Sequence, residues 1–132
     1  MKEAICTGLG IVGSLIAGLF GGWDSALATL LIFMGVDYIT GLMVAAAGKS
    51  PKGKLSSKIG WKGLAKKCMI LLLVLVAARL DVVLGTSYVR AGVCIAFMCN
   101  EVISILENAG LMGVPLPAAL KNAVELLQKK EK

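Results

Sequence analysis

Four long apolar runs, separated by short polar connections, constrain this chain more than any other feature. A helix needs about 20 mostly apolar residues to cross the hydrocarbon core of a bilayer. Hydrophobic residues make up 58% of the 132-residue chain, and its mean hydropathy is +0.85. A soluble domain of this size has too little interior to bury so much apolar surface. The sequence therefore predicts an all-α integral membrane protein. It would form a single membrane domain over residues 1–132, with transmembrane helices at about residues 5–23, 25–47, 68–85 and 90–111.

The basic residues are concentrated in the linker between the second and third runs. Residues 48–67 contain seven of the fourteen lysines and arginines. Positively charged loops stay on the cytoplasmic side of a membrane, and four spans place both termini on the same side as this linker. We therefore predict a multi-pass protein with both termini in the cytoplasm. The linker is expected to include a short basic interfacial helix capped by Ser56 or Ser57, and residues 117–131 an amphipathic cytoplasmic helix.

The linker lysines also indicate a partner. The net charge of the chain is +6, and no base-reading motif accompanies the basic cluster. An anionic membrane surface therefore suits this charge better than nucleic acid does. We predict that six linker lysines contact anionic lipid: Lys52, Lys54, Lys58, Lys62, Lys66 and Lys67.

Catalytic chemistry finds no support in the sequence. The chain contains no histidine, which excludes imidazole catalysis and histidine metal ligands. It also has no nucleotide-binding loop, no nucleophile–base pattern and no metal-ligand spacing. The sequence thus predicts a protein that is not an enzyme and that requires no metal or cofactor.

Small residues recur at every fourth position of the first run, at Gly10, Ser14, Gly18 and Gly22. This spacing lets helix backbones approach closely in lipid. The alternative is that glycine is simply commoner in membrane helices than in soluble ones. We favour the first interpretation and predict a helix-packing face at these four positions.

Polar side chains form one stripe on the fourth run. Asp37, in the middle of the second run, is a further candidate, because a charge at mid-bilayer costs about 2.5–3.5 kcal/mol and must face protein or water. These residues can form a seam between helices, a proton or cation transport site, or the wall of a water-lined pore, and we favour the seam. At about 100° per residue, the stripe holds six residues on one helical arc: Arg90, Asn100, Glu101, Ser104, Glu107 and Asn108.

Several short motifs resemble one family. They are Asp37-Tyr38-Ile39-Thr40-Gly41, the pair Ser56-Ser57 with Gly60, Lys62-Gly63 and Lys66-Lys67, the pair Leu80-Asp81, and the series Asn100-Glu101, Ser104, Glu107-Asn108, Gly113, Pro115 and Pro117. Together they cover roughly residues 35 to 120. In these motifs the sequence is similar to the four-helix phage lysis holins, which include the clostridial toxin-secretion holins.

The resemblance implies a function that could not be inferred from the composition alone. Such proteins form homo-oligomers in the bacterial host cytoplasmic membrane and open lesions. A cell-wall hydrolase passes through the lesions only as a passenger, and the cell lyses at a set time; relatives are implicated in toxin release. Two alternatives stay open. A small four-helix proton-coupled transporter would show flux through a carboxylate, and an antiholin without a pore would delay lysis when it is co-expressed.

Overall fold

The computed structural model describes residues 1–51 and 53–131. All regular structure in these residues is α-helical. The five helices are α1 (Lys2–Leu19), α2 (Ser25–Ala46), α3 (Ser57–Leu84), α4 (Tyr88–Leu111) and α5 (Ala118–Glu131). The predicted second and fourth spans match α2 and α4 to within two residues, and α5 corresponds to the predicted C-terminal helix.

The first helix ends earlier than the sequence predicts, at Leu19 instead of residue 23. Gly21 and Gly22 adopt φ angles of 86° and 97°. This left-handed region is open to glycine and ends a right-handed helix. Asp24 then caps α2, because its Oδ1 accepts a hydrogen bond from the backbone N–H of Leu27 at 3.0 Å.

The prediction of a separate interfacial helix before the third span is wrong. Ser56 caps the basic segment as expected, with the N–H of Ile59 donating to its Oγ at 3.3 Å. The helix then continues for 28 residues without interruption. No proline lies between Ser57 and Leu84, and most of these residues are good helix formers, so nothing in the sequence stops the helix at the start of the apolar run. Gly85, with a φ of 68°, ends it.

Three helices of the described chain, α1, α2 and α4, are long and apolar enough to cross a membrane by length and composition. The third helix is not among them. Its apolar stretch has Lys66 and Lys67 at one end and Arg79 and Asp81 at the other. These charged residues at both ends make α3 too polar to match the composition of the other three helices.

The core lies between α2, α3 and α4. Its buried side chains are Leu27, Leu30, Met34, Val74 and Cys94. Contacts near both ends show that α2 and α4 run parallel to each other and α3 antiparallel to both. Helix α1 contains no buried residue and lies outside this three-helix core.

One aromatic contact sets the spacing between α2 and the beginning of α3. The Oη of Tyr38 donates a hydrogen bond to the carbonyl oxygen of Gly60 at 3.2 Å. A Cβ at Gly60 would lie 3.2 Å from that same Oη, and a Cβ at Gly63 would lie 3.5 Å from the Tyr38 ring. The two glycines thus let the ring lie directly against the α3 backbone.

Candidate functional site

A cluster of three charged side chains joins the middle of the bundle. Lys67 on α3 donates to Oδ2 of Asp37 on α2 at 2.8 Å and to Oε2 of Glu101 on α4 at 2.9 Å. The side chain of Glu101 is 3% exposed, and those of Lys67 and Asp37 are about 15% exposed. One ammonium group thus ties together all three helices of the core.

Uncharged polar groups extend the cluster. The Asn108 amide donates to Oδ1 of Asp37 at 3.3 Å and to Oγ1 of Thr40 at 2.9 Å. The Thr40 hydroxyl in turn donates to the Asp37 carbonyl oxygen at 3.0 Å, so it stays within its own helix. The Ser104 hydroxyl on α4 also lies beside the Asp37 carboxylate. Buried charges persist when they are paired and fully hydrogen-bonded, and these contacts meet that requirement.

The charge count of the cluster is uneven, because two carboxylates share one ammonium. With both acids ionised the cluster carries one net negative charge, and with one proton bound it is neutral. Buried ions contribute little net stability as a set, but removing one partner leaves an uncompensated charge that costs about 3–5 kcal/mol. The cluster therefore fixes how the three helices are aligned more than it adds to their stability.

A second cluster lies at the opposite end of the bundle, around Arg90. Its guanidinium makes a bidentate pair with Asp24, at 2.8 Å from Nη1 to Oδ2 and 3.1 Å from Nη2 to Oδ1. It also donates to the carbonyl oxygens of Phe20 and Gly22. The Arg90 hydrogen bonds, followed by that from the Leu27 N–H, hold the pKa of Asp24 below its usual value because they favour the ionised carboxylate. Arg90 thus holds the turn between α1 and α2 against the core.

Asp81, near the end of α3, caps the N-terminus of α4. Ser87 precedes α4 and makes no side-chain capping bond. Instead Oδ1 of Asp81 accepts from the N–H of Val89 at 3.1 Å, and Oδ2 accepts from the N–H of Arg90 at 2.9 Å. The Thr86 hydroxyl also donates to Asp81 Oδ1 at 2.6 Å. The Asp81 carboxylate thus closes the turn between α3 and α4, and its negative charge interacts favourably with the positive end of the α4 dipole.

The polar stripe predicted on the fourth span divides into parts. Glu101, Ser104 and Asn108 face Asp37, whereas Asn100 and Glu107 are exposed. Arg90 belongs to the opposite cluster, about 16 Å from Glu101 along the helix by its rise of 1.5 Å per residue. The structure therefore brings three of the six stripe residues into the cluster around Asp37 and Lys67.

The face of small residues predicted to pack α1 lies against no other helix in the described part of this chain. Gly10, Ser14 and Gly18 are exposed, and Gly22 is half-buried in the turn. A Cβ built at any of the three glycines meets nothing within 4 Å. Whether this face packs against another copy stays a prediction.

One of the lysines predicted to contact lipid is corrected by the structure. Lys67 points into the bundle and binds two carboxylates, because it lies at i+7 from Gly60 and i+4 from Gly63, on the α3 face that packs against α2. Lys54, Lys58, Lys62 and Lys66 are exposed, and Lys52 lies outside the described residues.

Sequence reasoning missed Lys67 as a cluster member and also missed the roles of Thr40, Asp24 and Asp81. In a helix that continues through the linker, Lys67 lies on the same face as Gly60 and Gly63. This spacing was the signal in the sequence that could have identified Lys67. Asp24 and Arg90 are 66 residues apart, and only the predicted topology places both at one end of the bundle. Among the described residues, no group of three acidic or cysteine side chains could hold a metal ion.

Comparisons with known proteins agree with one another. The sequence model described as "Bacteriophage holin family" matches residues 14–129. An uncharacterized 14.9 kDa protein of Clostridium perfringens is 41% identical over 126 residues, covering 94% of this chain and 92% of that protein. An uncharacterized protein of Listeria monocytogenes is 41% identical over 119 residues, covering 89% and 82%.

A phage protein is also similar. The "Probable holin" of Bacillus phage phi105 is 30% identical over 100 residues, which cover 75% of this chain and 71% of that protein. No solved structure matches the chain. Because the family model covers most of the sequence, from residue 14 to residue 129, the chain belongs to the bacteriophage holin family.

Proposed function

We propose that this chain acts as a holin. It accumulates and oligomerises in the cytoplasmic membrane of a bacterial host and opens lesions through which a cell-wall hydrolase or a toxin leaves the cell, causing timed lysis. The observation that carries this proposal is membership of the holin family over residues 14–129. The three apolar helices fit a protein that works by assembling within a membrane.

The proposed membrane arrangement has four spans, with α3 as the third. Asp37, Lys67 and Glu101 each lie about 14–15 Å from the α2, α3 and α4 ends that adjoin the basic linker and the C-terminal tail, by a rise of 1.5 Å per residue. Three helices aligned at one level in this way suit a hydrocarbon core about 30 Å thick. Lys67 is one of the charges that make α3 less apolar, and its ion pairs offset that charge inside the bundle.

The proposed orientation places both termini, the basic linker and α5 in the cytoplasm. Linker lysines then lie at the inner leaflet, whose anionic lipids attract them by about 1 kcal/mol per residue near the surface. Lys54 and Lys58 are at the headgroup level. Lys62 lies about 8 Å along α3 from Ser57 and reaches toward the same surface with its long side chain. The proposed partners are therefore anionic lipid and further copies of the chain.

Self-association is proposed to use the faces that the single chain leaves open. The α1 face around Gly10, Ser14 and Gly18 is exposed, and its side chains are small enough to let another helix approach closely. The polar cluster around Asp37 and Glu101 is satisfied within one chain, which corresponds to the resting state. At a threshold density the helices repack, and polar faces that were closed turn toward water and line the lesion. The hydrolase takes part only as a passenger.

The test is inducible expression in bacteria, with and without a cytoplasmic cell-wall hydrolase that has no export signal. We expect abrupt lysis only when both proteins are present, because the lesion must let the hydrolase reach the wall. Continued growth without leakage in both cultures contradicts the proposal. Delay of lysis caused by another holin would instead identify an antiholin, and substrate- or proton-dependent flux without release of protein would identify a transporter.

A variant pair tests the cluster within this function. Glu101→Leu and Asn108→Leu remove polar groups that α4 directs at α2. Combined in one chain that still reaches normal membrane levels, they should change the time of lysis or abolish lesions. The matched control is Val102→Leu, a conservative change on an adjoining exposed position. Unchanged timing in the double variant would exclude the cluster from lesion formation.

A further inference from the structure

An open groove lies between the end of α2 and the beginning of α3. Its volume is about 480 Å³, and its lining is mainly apolar and aromatic. Leu42 on α2 and Trp61 and Leu64 on α3 form its walls, and the residues just before α3 form its rim. Trp61 is 73% exposed. The groove is thus an apolar channel that is open along one side.

The floor of the groove is built by the contact between Tyr38 and two glycines. The ring of Tyr38 lies against Gly60 and Gly63, and its hydroxyl is fixed by the bond to the Gly60 carbonyl oxygen. Because neither glycine has a side chain, the ring lies directly against the α3 backbone at the base of the groove. Of these three residues, Tyr38 and Gly60 line the groove.

The charges on the part of the groove's rim that precedes and begins α3 have one sign. Lys54 directly precedes Leu55 at the rim, Lys58 directly follows Ser57, and both lysines are exposed. No acidic residue occurs anywhere from residue 48 to residue 67. The rim therefore complements a monoanionic group, and the groove behind it complements a hydrocarbon chain.

The depth of the groove matches a lipid in the inner leaflet. Trp61 and Leu64 lie about 6 and 10 Å along α3 from Ser57, and Leu42 lies about 6 Å from the end of α2. Resting on the membrane orientation of the proposed function, we propose that this groove binds one anionic phospholipid. The phosphate lies at the rim between Lys54 and Lys58, and the upper part of an acyl chain runs past Trp61.

The two tryptophans of the chain provide the test. Trp23→Phe leaves Trp61 in the groove as the sole tryptophan, and Trp61→Phe leaves Trp23, which is 65% exposed at the other end of the bundle. The full chain is reconstituted in phosphatidylcholine vesicles that contain about 5 mol% phosphatidylglycerol brominated on its acyl chains. Bromine quenches tryptophan fluorescence only at contact distance, so quenching reports which lipid lies beside each ring.

The expected difference follows from the two lysines. Each attracts an anionic lipid about fivefold, so the pair favours it about thirtyfold over the zwitterionic host. At about 5 mol%, that preference fills the groove in about three fifths of the chains, while a site without preference is filled in about one twentieth. Trp61 should therefore be quenched about tenfold more than Trp23. Equal quenching of the two tryptophans would overturn the proposal.

Two controls separate a binding site from general contact with lipid. In the Trp23→Phe background, Lys54→Gln with Lys58→Gln should lower the quenching of Trp61 to the level of Trp23, whereas Lys121→Gln, an exposed lysine of α5, should leave it unchanged. Brominated phosphatidylcholine at the same mole fraction should quench both tryptophans equally. Strong quenching by this zwitterionic lipid, or quenching that survives loss of both lysines, refutes a site for anionic lipid.

This test can fail without the holin proposal failing. Lysis that depends on the hydrolase, together with equal quenching of both tryptophans, removes the lipid site and keeps the proposed function. Selective quenching of Trp61 without lysis removes the proposed function and keeps the site.

Discussion

Removing the Lys67 ammonium is the most informative perturbation of this fold. Lys67→Met keeps the length of the side chain and deletes its charge. Asp37 and Glu101 then face each other inside the bundle without a cation. Among single substitutions in the cluster, we expect Lys67→Met to lower the stability of the protein most.

The size of the effect follows from the distances. Unit charges about 2.8 Å apart attract by about 6 kcal/mol at an effective dielectric constant of about 20, and desolvation of the ions offsets part of that attraction. Breaking a buried pair by removing one partner costs about 3–5 kcal/mol. Proton uptake by a carboxylate lessens the penalty in acid, so Lys67→Met should be least destabilising at low pH.

The charge count predicts an unusual pattern among the partners. Glu101→Gln leaves Lys67 and Asp37 as a balanced pair, and the glutamine oxygen still accepts from the ammonium, so the cost should be below about 1.5 kcal/mol. Asp37→Asn likewise leaves Lys67 paired with Glu101. The double variant should cost about 3–5 kcal/mol, more than the sum of the two, because Lys67 is then buried without an anion.

The measurement is the free energy of unfolding by titration with SDS in mixed micelles, followed by circular dichroism. Lys62→Met is the matched control, since this lysine of the same helix is exposed nearer the proposed membrane surface and should change stability by less than about 0.5 kcal/mol. If Glu101→Gln is as costly as Lys67→Met, or if the two carboxylate substitutions are additive, the argument from charge balance is refuted.

Three further predictions concern the turns and the contact between α2 and α3, all measured by the same SDS titration. Asp24→Asn should cost less than about 1 kcal/mol, because Asp24 is half-exposed. The lowered pKa of Asp24 makes its contribution present above the usual carboxyl value and lost as pH falls through the lowered value, so a difference from wild type that persists in stronger acid would contradict the pairing. Gly21→Ala should cost about 1–2 kcal/mol, since φ is 86° and the new Cβ would lie 3.0 Å from Arg90, while Gly13→Ala in open space should be neutral or stabilising. Tyr38→Phe should cost about 0.5–1.5 kcal/mol by losing its bond to Gly60, and no loss would mean that water replaces the bond.

Much of the fold was predictable, because hydrophobic runs of membrane length report directly on helices. Helices α2 and α4 begin and end within two residues of the prediction. The boundary of α3 was not predictable in the same way. A helix with lysines along one side has the composition of a solvated loop, and hydropathy does not distinguish the two.

The site was predictable in its acids and amides but not in its cation. Asp37 and Glu101 stand out because they are carboxylates in apolar surroundings. Lys67 is one of several lysines in a row, and only its angular position on a continuous helix distinguishes it from Lys66. The pairing of Asp24 with Arg90 depends on how helix ends meet in space, which no local pattern encodes.

The shared ammonium also has a consequence for the order of synthesis. Chains are made from the N-terminus, so in the proposed four-span arrangement Asp37 enters the membrane thirty residues before Lys67. An α2 inserted alone carries an unbalanced charge, and α3 brings the cation that neutralises it. The Asp37–Lys67 pair is then balanced, and α4 adds the Glu101 carboxylate last. In the proposed four-span arrangement, a chain truncated after α3 therefore keeps Asp37 in an ion pair, whereas a chain truncated after α2 leaves the Asp37 carboxylate without a cation to bind.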